Sequence, residues 1–227
     1  MIVMDRRNFL KVICAGAATF FLSGCGIAAV DEKNSDGKAS AKNVSEGDTM
    51  KIVVINSSPH SERESTSRYL AQRFSEGAKS KGHEIFTFDA AHEETNPCQG
   101  CDHCAMDGPC IFKDAIAEKL MPEMLKADLL VLVTPLYYFG FSAQMKTVID
   151  RFYSRTERLH GKKSILLTTA WNTADWTFTA LKSHYETLVR YMNWKDMGQV
   201  LATGCGYRSA VENSQFGDIA YSIGASL

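Results

Sequence analysis

Cys98, Cys101, Cys104 and Cys110 stand close together in the chain, with two, two and five residues between them. Three thiolates at every third position can wrap one face of a cubane, and a fourth after the Gly108-Pro109 turn can close it as a [4Fe–4S] cluster. Four thiolates also suit a tetrahedral zinc, although two paired Cys-x2-Cys knuckles are the commoner form. Paired disulfides are the third reading. They suit an oxidising compartment, but the two-residue spacing is tight for a structural bridge. His103 lies between two of the thiols and is expected to face solvent. Cys205, in Thr203-Gly204-Cys205-Gly206, follows a strand and reads best as a small buried residue.

A second stretch with chemical content is Ser57-Ser58-Pro59-His60-Ser61, running on to Ser65-Thr66. It is rich in hydroxyls and lies between a buried strand and a helix start. Free backbone N–H groups and the positive helix end converge at such a point, so the loop suits a phosphate. An ordinary serine-rich turn with Thr66 as the helix cap accounts for the same residues equally well. The third stretch is Pro135-Leu136-Tyr137-Tyr138-Phe139-Gly140. Three aromatics beside a glycine can lie against a flat ring. Aromatics usually pack in the core instead, but these stand at a strand end. No Gly-x-Gly-x-x-Gly fingerprint for a dinucleotide pyrophosphate is present, and no Ser/His/Asp nucleophile constellation.

These stretches need elements to position them. Lys51–Asn56 is an almost unbroken apolar run, as expected of a strand buried on both faces of a parallel sheet. Strands are also expected at Glu84–Asp89, Leu129–Val133, Ser164–Thr168 and Gln199–Ala202. Helices are expected from Thr66, ended by Gly82, and from Asp114, where Pro122 begins a second short helix. A helix capped by Ser142 should bury Met145, Val148, Ile149 and Phe152. Phe178, Leu181, Leu188, Val189 and Met192 mark the next helix. Phe216, Ile219, Ala220 and Ile223 mark the last. Five strands alternating with helices give an α/β fold: a flavodoxin-like, doubly wound, five-stranded parallel sheet of order 2-1-3-4-5. Ligands of such sheets bind beyond the strand C-termini, where the first and third strands flank the switch in strand order.

The 227 residues are 45% hydrophobic, with a formal net charge of −1. One globular domain with a sizeable core is expected over residues 50–227, with a Cys-rich insertion at 96–110. The charge argues against a nucleic-acid partner. Residues 1–25 read as an export signal: Arg6-Arg7 ahead of the apolar stretch Val12–Leu22, closed by Leu22-Ser23-Gly24-Cys25. The Arg-Arg-x-Phe-Leu-Lys pattern resembles a twin-arginine signal, and a plain secretory signal with a chance Arg-Arg pair is the alternative. Leu-Ser-Gly-Cys resembles a lipobox in which Cys25 is lipidated. Residues 26–49, polar and without an aromatic, read as a disordered tether with a reach of roughly 27 Å. The expected location is the cell envelope, as an exported, membrane-anchored lipoprotein on its periplasmic face.

Taken in order, several motifs carry a family resemblance. They are the strand with Ser57-Ser58-Pro59-His60, the four cysteines with Gly108-Pro109-Cys110, Asp114, Thr134-Pro135-Leu136-Tyr137-Tyr138, and Lys146-x-x-x-Asp150-Arg151. Over residues 50 to about 205 the chain resembles the NADPH-dependent FMN reductase-like family of flavodoxin fold, in its iron–sulfur flavoprotein branch. The resemblance implies an FMN-dependent oxidoreductase or electron carrier. Ser57, Ser58, His60, Ser65 and Thr66 would hold the FMN phosphate. Pro135, Leu136, Tyr137, Tyr138 and Phe139 would border the isoalloxazine, with Thr169, Ala170, Trp171 and Asn172 as a third wall. The branch also favours the [4Fe–4S] reading for Cys98, Cys101, Cys104 and Cys110, ahead of thiol-redox or disulfide chemistry and of zinc. The phosphate loop departs from the family pattern, with Ser57 in place of a Gly before Ser-Pro and Glu64-Ser65 in place of Gly-Asn. Glu62 and Glu64 oppose an anion there, and Arg63 and His60 offset them. A redox partner protein or small electron acceptor is the expected partner, together with a homo-oligomer.

Overall fold

The computed structural model describes residues 49–227. The segments read from sequence as an export signal, with Cys25, and as a tether, apart from Thr49, lie outside the described residues. The element order is β1 (Lys51–Asn56), α1 (Thr66–Lys79), β2 (Glu84–Asp89), a π-helical turn (Ile116–Leu120) running into α2 (Met121–Lys126), and β3 (Leu129–Pro135). There follow α3 (Ala143–Arg151), a 3-10 turn (Phe152–Arg155), α4 (Thr156–Leu159), β4 (Lys163–Thr169), α5 (Thr179–Tyr191), β5 (Lys195–Ala202), α6 (Arg208–Glu212) and α7 (Phe216–Ala225). All five strands pair in parallel in the order β2-β1-β3-β4-β5, so the expected flavodoxin-like arrangement is the one present.

The unbroken apolar character of the central strands follows from burial on both faces. In β3, Leu130 and Leu132 join Val53, Ile55 and Leu166 on the side covered by α2, α3 and α5. Leu129, Val131 and Val133 join Ile52, Val54, Ile165 and Leu167 on the side covered by α1 and α7. Alternate side chains point to opposite faces, so a strand with helices on both sides has no polar face to show.

Local signals set most boundaries. Ser142 caps α3, its Oγ accepting from the Met145 amide at 3.3 Å. Pro122 falls in the first turn of α2, where its missing N–H costs nothing. The cap of α1 is Ser65 rather than Thr66: Ser65 Oγ accepts from the Arg68 amide at 3.1 Å, and Thr66 is the first helical residue. Gly82 stands beyond the end of α1 with φ +85°, a conformation that suits glycine. The short α6 has no apolar period long enough to announce it. In α7, Ile219 is part-exposed, and the buried positions are Gly217, Ala220 and Gly224. There α7 meets α1 almost backbone to backbone: a Cβ at Gly224 would stand 2.2 Å from the Phe74 carbonyl oxygen. Closeness, not bulk, makes that contact, so an apolar period cannot report it. Among the described residues no helix is long and apolar enough to cross a membrane.

Candidate functional site

The loops after β1, β3, β4 and β5 meet at one cleft of about 680 Å³. Its wall after β1 is Ser58, His60, Arg63, Glu64 and Thr66; its wall after β3 is Pro135, Leu136 and Tyr137. Thr169 comes from the end of β4, Ala170 and Trp171 from the loop after it, and Cys205, Gly206, Tyr207 and Arg208 from beyond β5. Backbone bonds knit the strand ends together: Leu136 N–H donates to Thr169 O at 2.9 Å, and Ala170 N–H to Ala202 O at 2.8 Å. Thr66 Oγ1 and Thr169 Oγ1 share a hydrogen bond of 2.7 Å across the floor.

The loop after β1 is arranged by two arginines that take its carbonyl groups. Arg68, on the first turn of α1, donates from Nη2 to Ser58 O at 3.0 Å and from Nε to His60 O at 3.1 Å. Asp89 at the end of β2 fixes that guanidinium at 2.6 Å. Arg208, from α6, donates from Nη1 to Glu62 O at 2.5 Å and to Ser65 O at 3.4 Å, with its guanidinium 4.8 Å over the Tyr69 ring. With these four carbonyls engaged, and the amides of His60, Glu64 and Ser65 bonded within the loop, the amides of Ser61, Glu62, Arg63 and Thr66 at the start of α1 are the ones an anion could use. Glu64 is drawn to Ser61, whose hydroxyl donates to it at 2.8 Å. Arg208 was not legible, because it lies 146 residues from Glu62 and belongs to a helix without a sequence signal.

The remaining residues named from the sequence are distributed as follows. Ser57 is fully buried and turned into the sheet. Its amide and hydroxyl both donate to Val133 O at 3.0 Å, and its Oγ accepts from Ser142 at 2.9 Å, so it anchors the loop and offers no free donor. Ser58 is buried beneath the loop, accepting from the His60 amide at 3.3 Å. Ser65 is occupied as the helix cap. Tyr138 and Phe139 form the tip of a tight turn closed by Tyr137 and Gly140, with φ of 46° and 64°. Both central residues are left-handed, as a two-residue hairpin turn demands. The turn leaves Tyr138 101% exposed and lays Phe139 against Trp176, ring centroids 4.9 Å apart. Asn172 lies outside the cleft, accepting from the Ala174 amide. Trp171 does line it, paired with Tyr207 at 4.6 Å and pressed on Gly206, where a Cβ would stand 2.6 Å from the indole. Cys205 is buried as expected and also lines the cleft; burial pushes its thiol up, which keeps it protonated.

Cys98, Cys101, Cys104 and Cys110 are all free. They line one small pocket whose other walls include Ile111, Phe112, Arg151 and Tyr153. Among the described residues no three His, Cys, Asp or Glu side chains converge closely enough to hold a metal ion. Four free thiols around one largely apolar pocket match a cluster in kind of donor and setting, and not in ligand geometry. His103 is exposed and takes no part in the pocket. The loop is tied at its base to Asp114, a buried carboxylate. Burial opposes its charge, but hydrogen bonds from Arg151 and from the Asn96 and Ala117 amides outweigh this and hold its pKa below the ordinary 3.8.

The chain matches the NADPH-dependent FMN reductase family over residues 50–204, more than half its length. It belongs to that family. Among curated proteins, an iron–sulfur flavoprotein of Methanocaldococcus jannaschii is 34% identical over 102 residues, 45% of this chain and 51% of the relative. One from Archaeoglobus fulgidus is 38% identical over 101 residues, 44% and 49% of the two chains. The chain thus spans about half the length of these relatives. Among solved structures, the NAD(P)H:quinone oxidoreductase from Methanothermobacter marburgensis superposes with a TM-score of 0.62 at 19% identity, covering 78% of this chain and 96% of the other. An azoreductase from Bacillus anthracis gives 0.60 at 15%, covering 79% and 100%. At those identities the likeness is one of fold.

FMN, the cofactor of the NADPH-dependent FMN reductase family, is tested by the cleft and fits it. The volume is that of a cofactor pocket. One end supplies amides at a helix start for a single phosphate, and the other supplies Tyr137, Trp171 and strand-end backbone for a flat ring. Replacing Arg68 by Met should release the Ser58 and His60 carbonyls toward the phosphate. FMN affinity, read by quenching of flavin fluorescence, is expected to fall by about tenfold or more, the loss of charge-assisted positioning bonds. Unchanged affinity in folded R68M would contradict this role.

Proposed function

We propose that this chain is an FMN-dependent oxidoreductase whose cysteine loop forms a second redox centre, held at the cell envelope by a lipid anchor. The convergence of four strand-end loops on a single cleft carries the flavin part of the reading. FMN, when bound, supplies the transfer of one or two electrons; the chain's residues bind it, orient it and restrict its access to water. The loop amides and the α1 N-terminus would hold the phosphate. Tyr137 and Trp171 would flank the ring, and the Trp171–Tyr207 pair would set how much of it meets solvent.

For the cysteines we favour a [4Fe–4S] cluster on Cys98, Cys101, Cys104 and Cys110. The spacing supports it, the shared pocket supports it, and the curated relatives bear iron–sulfur flavoprotein names. A dithiol reading is favoured by a different observation, the free state of all four thiols without convergent ligand geometry. Export and lipidation of Cys25 rest on the signal-like sequence alone. On this reading the chain passes electrons to a redox partner protein or a small acceptor, and functions as a homo-oligomer.

Protein purified without oxygen should carry FMN mole for mole, together with iron and acid-labile sulfide. Cys104→Ser should lose the iron and its broad blue-violet absorbance while retaining FMN. Flavin with no iron or sulfide in the unaltered chain would leave the dithiol reading, in which Cys104→Ser changes only the count of titratable thiols. Recovery of FAD, or of no flavin after reconstitution, would overturn the flavin assignment.

Cys25→Ala should move the protein from the membrane fraction to the soluble fraction. Unchanged membrane association would refute the lipid anchor.

A further inference from the structure

Between β2 and α2 the chain has no regular structure from Asn96 to Asp114, yet it carries the four thiols. Both ends of that stretch meet at one buried ion pair. Arg151, the last residue of α3, donates from Nη1 to Asp114 Oδ2 at 2.7 Å and from Nη2 to Oδ1 at 3.1 Å, and both side chains are 2% exposed. The same Nη1 donates to Asn96 O at 2.7 Å, and Asp114 Oδ2 accepts from the Asn96 amide at 2.8 Å. Asn96 is two residues before Cys98, and Asp114 four residues after Cys110. Phe112, two residues after Cys110, lies under the guanidinium at 5.2 Å.

Stability alone does not account for such a pair. Apolar side chains of the same volume usually do as well, because desolvating two charges offsets much of their attraction. Here the cost is increased, since Arg151 Nε is buried without a partner. What apolar residues cannot do is fix two ends of an irregular loop against one planar donor with three directional bonds. The middle of the loop is tied only at or near the surface: Tyr153 Oη donates to Asp102 at 2.7 Å, Arg155 Nη1 donates to Asp107 O, and the Thr156 amide donates to Met106 O at 3.0 Å.

We propose that Asp114 and Arg151 are positioning residues for the cysteine loop, setting which thiols face the shared pocket and which face solvent. The role holds whichever chemistry the thiols carry, so it stands apart from the cluster assignment. Arg151 also ends the helix that Ser142 begins, and Ser142 Oγ donates to Ser57 at the root of the phosphate loop. One short helix thus fixes the base of both redox loops.

The test is the rate at which each thiol of the reduced, iron-free, FMN-bound chain reacts with iodoacetamide, resolved by peptide mass spectrometry. In the unaltered chain Cys98 and Cys101 should react fastest, Cys104 and Cys110 more slowly, and Cys205 should be protected. In the double variant Asp114→Leu/Arg151→Met, which removes both charges together, Cys104 and Cys110 should gain about tenfold and match Cys98, the loop then opening freely. Cys205 should stay protected and FMN should stay bound. A folded, FMN-binding double variant with the original order of rates would overturn the proposal. If it does not fold, Asp114→Asn is read by the same criteria. If neither variant yields FMN-binding protein, the pair is a requirement of the whole fold and the proposal fails.

Discussion

The carbonyl groups of the loop after β1 have to be engaged if the loop is to serve an anion, and the site depends on the two guanidinium groups that engage them. A peptide loop carries as many acceptors as donors, so it attracts an anion only when its acceptors are engaged elsewhere. Arg68 engages Ser58 and His60, and Arg208 engages Glu62 and Ser65. Each arginine is fixed in turn from another element, Arg68 by Asp89 of β2 and Arg208 by Glu212 at 2.7 Å within α6. The loop is therefore shaped by the sheet edge on one side and by the chain after β5 on the other. The polarity of the loop depends on which backbone groups are engaged as well as on its two glutamates, of which Glu64 accepts from Ser61.

The same economy of means links the loop after β1 to the cysteine loop. α3 is a short helix, yet its first residues are tied through Ser142 to Ser57, and its last residue enters the buried pair with Asp114. Ser57 was expected to touch a phosphate; its hydrogen bonds place it in this scaffold instead. The exposed aromatics divide similarly. Tyr137 and Trp171 line the cleft, whereas the left-handed turn at Tyr138 and Phe139 throws Tyr138 into solvent.

The sheet was readable because parallel strands covered on both faces leave unbroken apolar runs such as Leu129–Val133, and the strand order follows from the alternation with helices. Caps and prolines were readable for the same reason, since Ser142 and Pro122 act through their own backbone neighbours. The cleft was legible at the ends of β1, β3 and β4, where topology alone dictates convergence. Its fourth wall was not. Gly206, Tyr207 and Arg208 sit in and beside a five-residue helix without amphipathic period, and their partners Trp171 and Glu62 are distant in sequence. Lys146-x-x-x-Asp150-Arg151 marked a family, but nothing in one chain indicates that Arg151 turns inward to Asp114 while Lys146 and Asp150 pair on the surface at 2.6 Å.

The central claim is that loop amides freed by Arg68 and Arg208 hold the phosphate of the flavin. Hydrogen exchange of the backbone amides in 58–67 tests it when riboflavin and FMN, which share a ring and differ by the phosphate, are compared at saturation. FMN should slow exchange in this loop by about tenfold or more over riboflavin, while both slow exchange near Tyr137 and Trp171 equally. Equal protection of the loop by the two flavins, or none by either, would contradict the account.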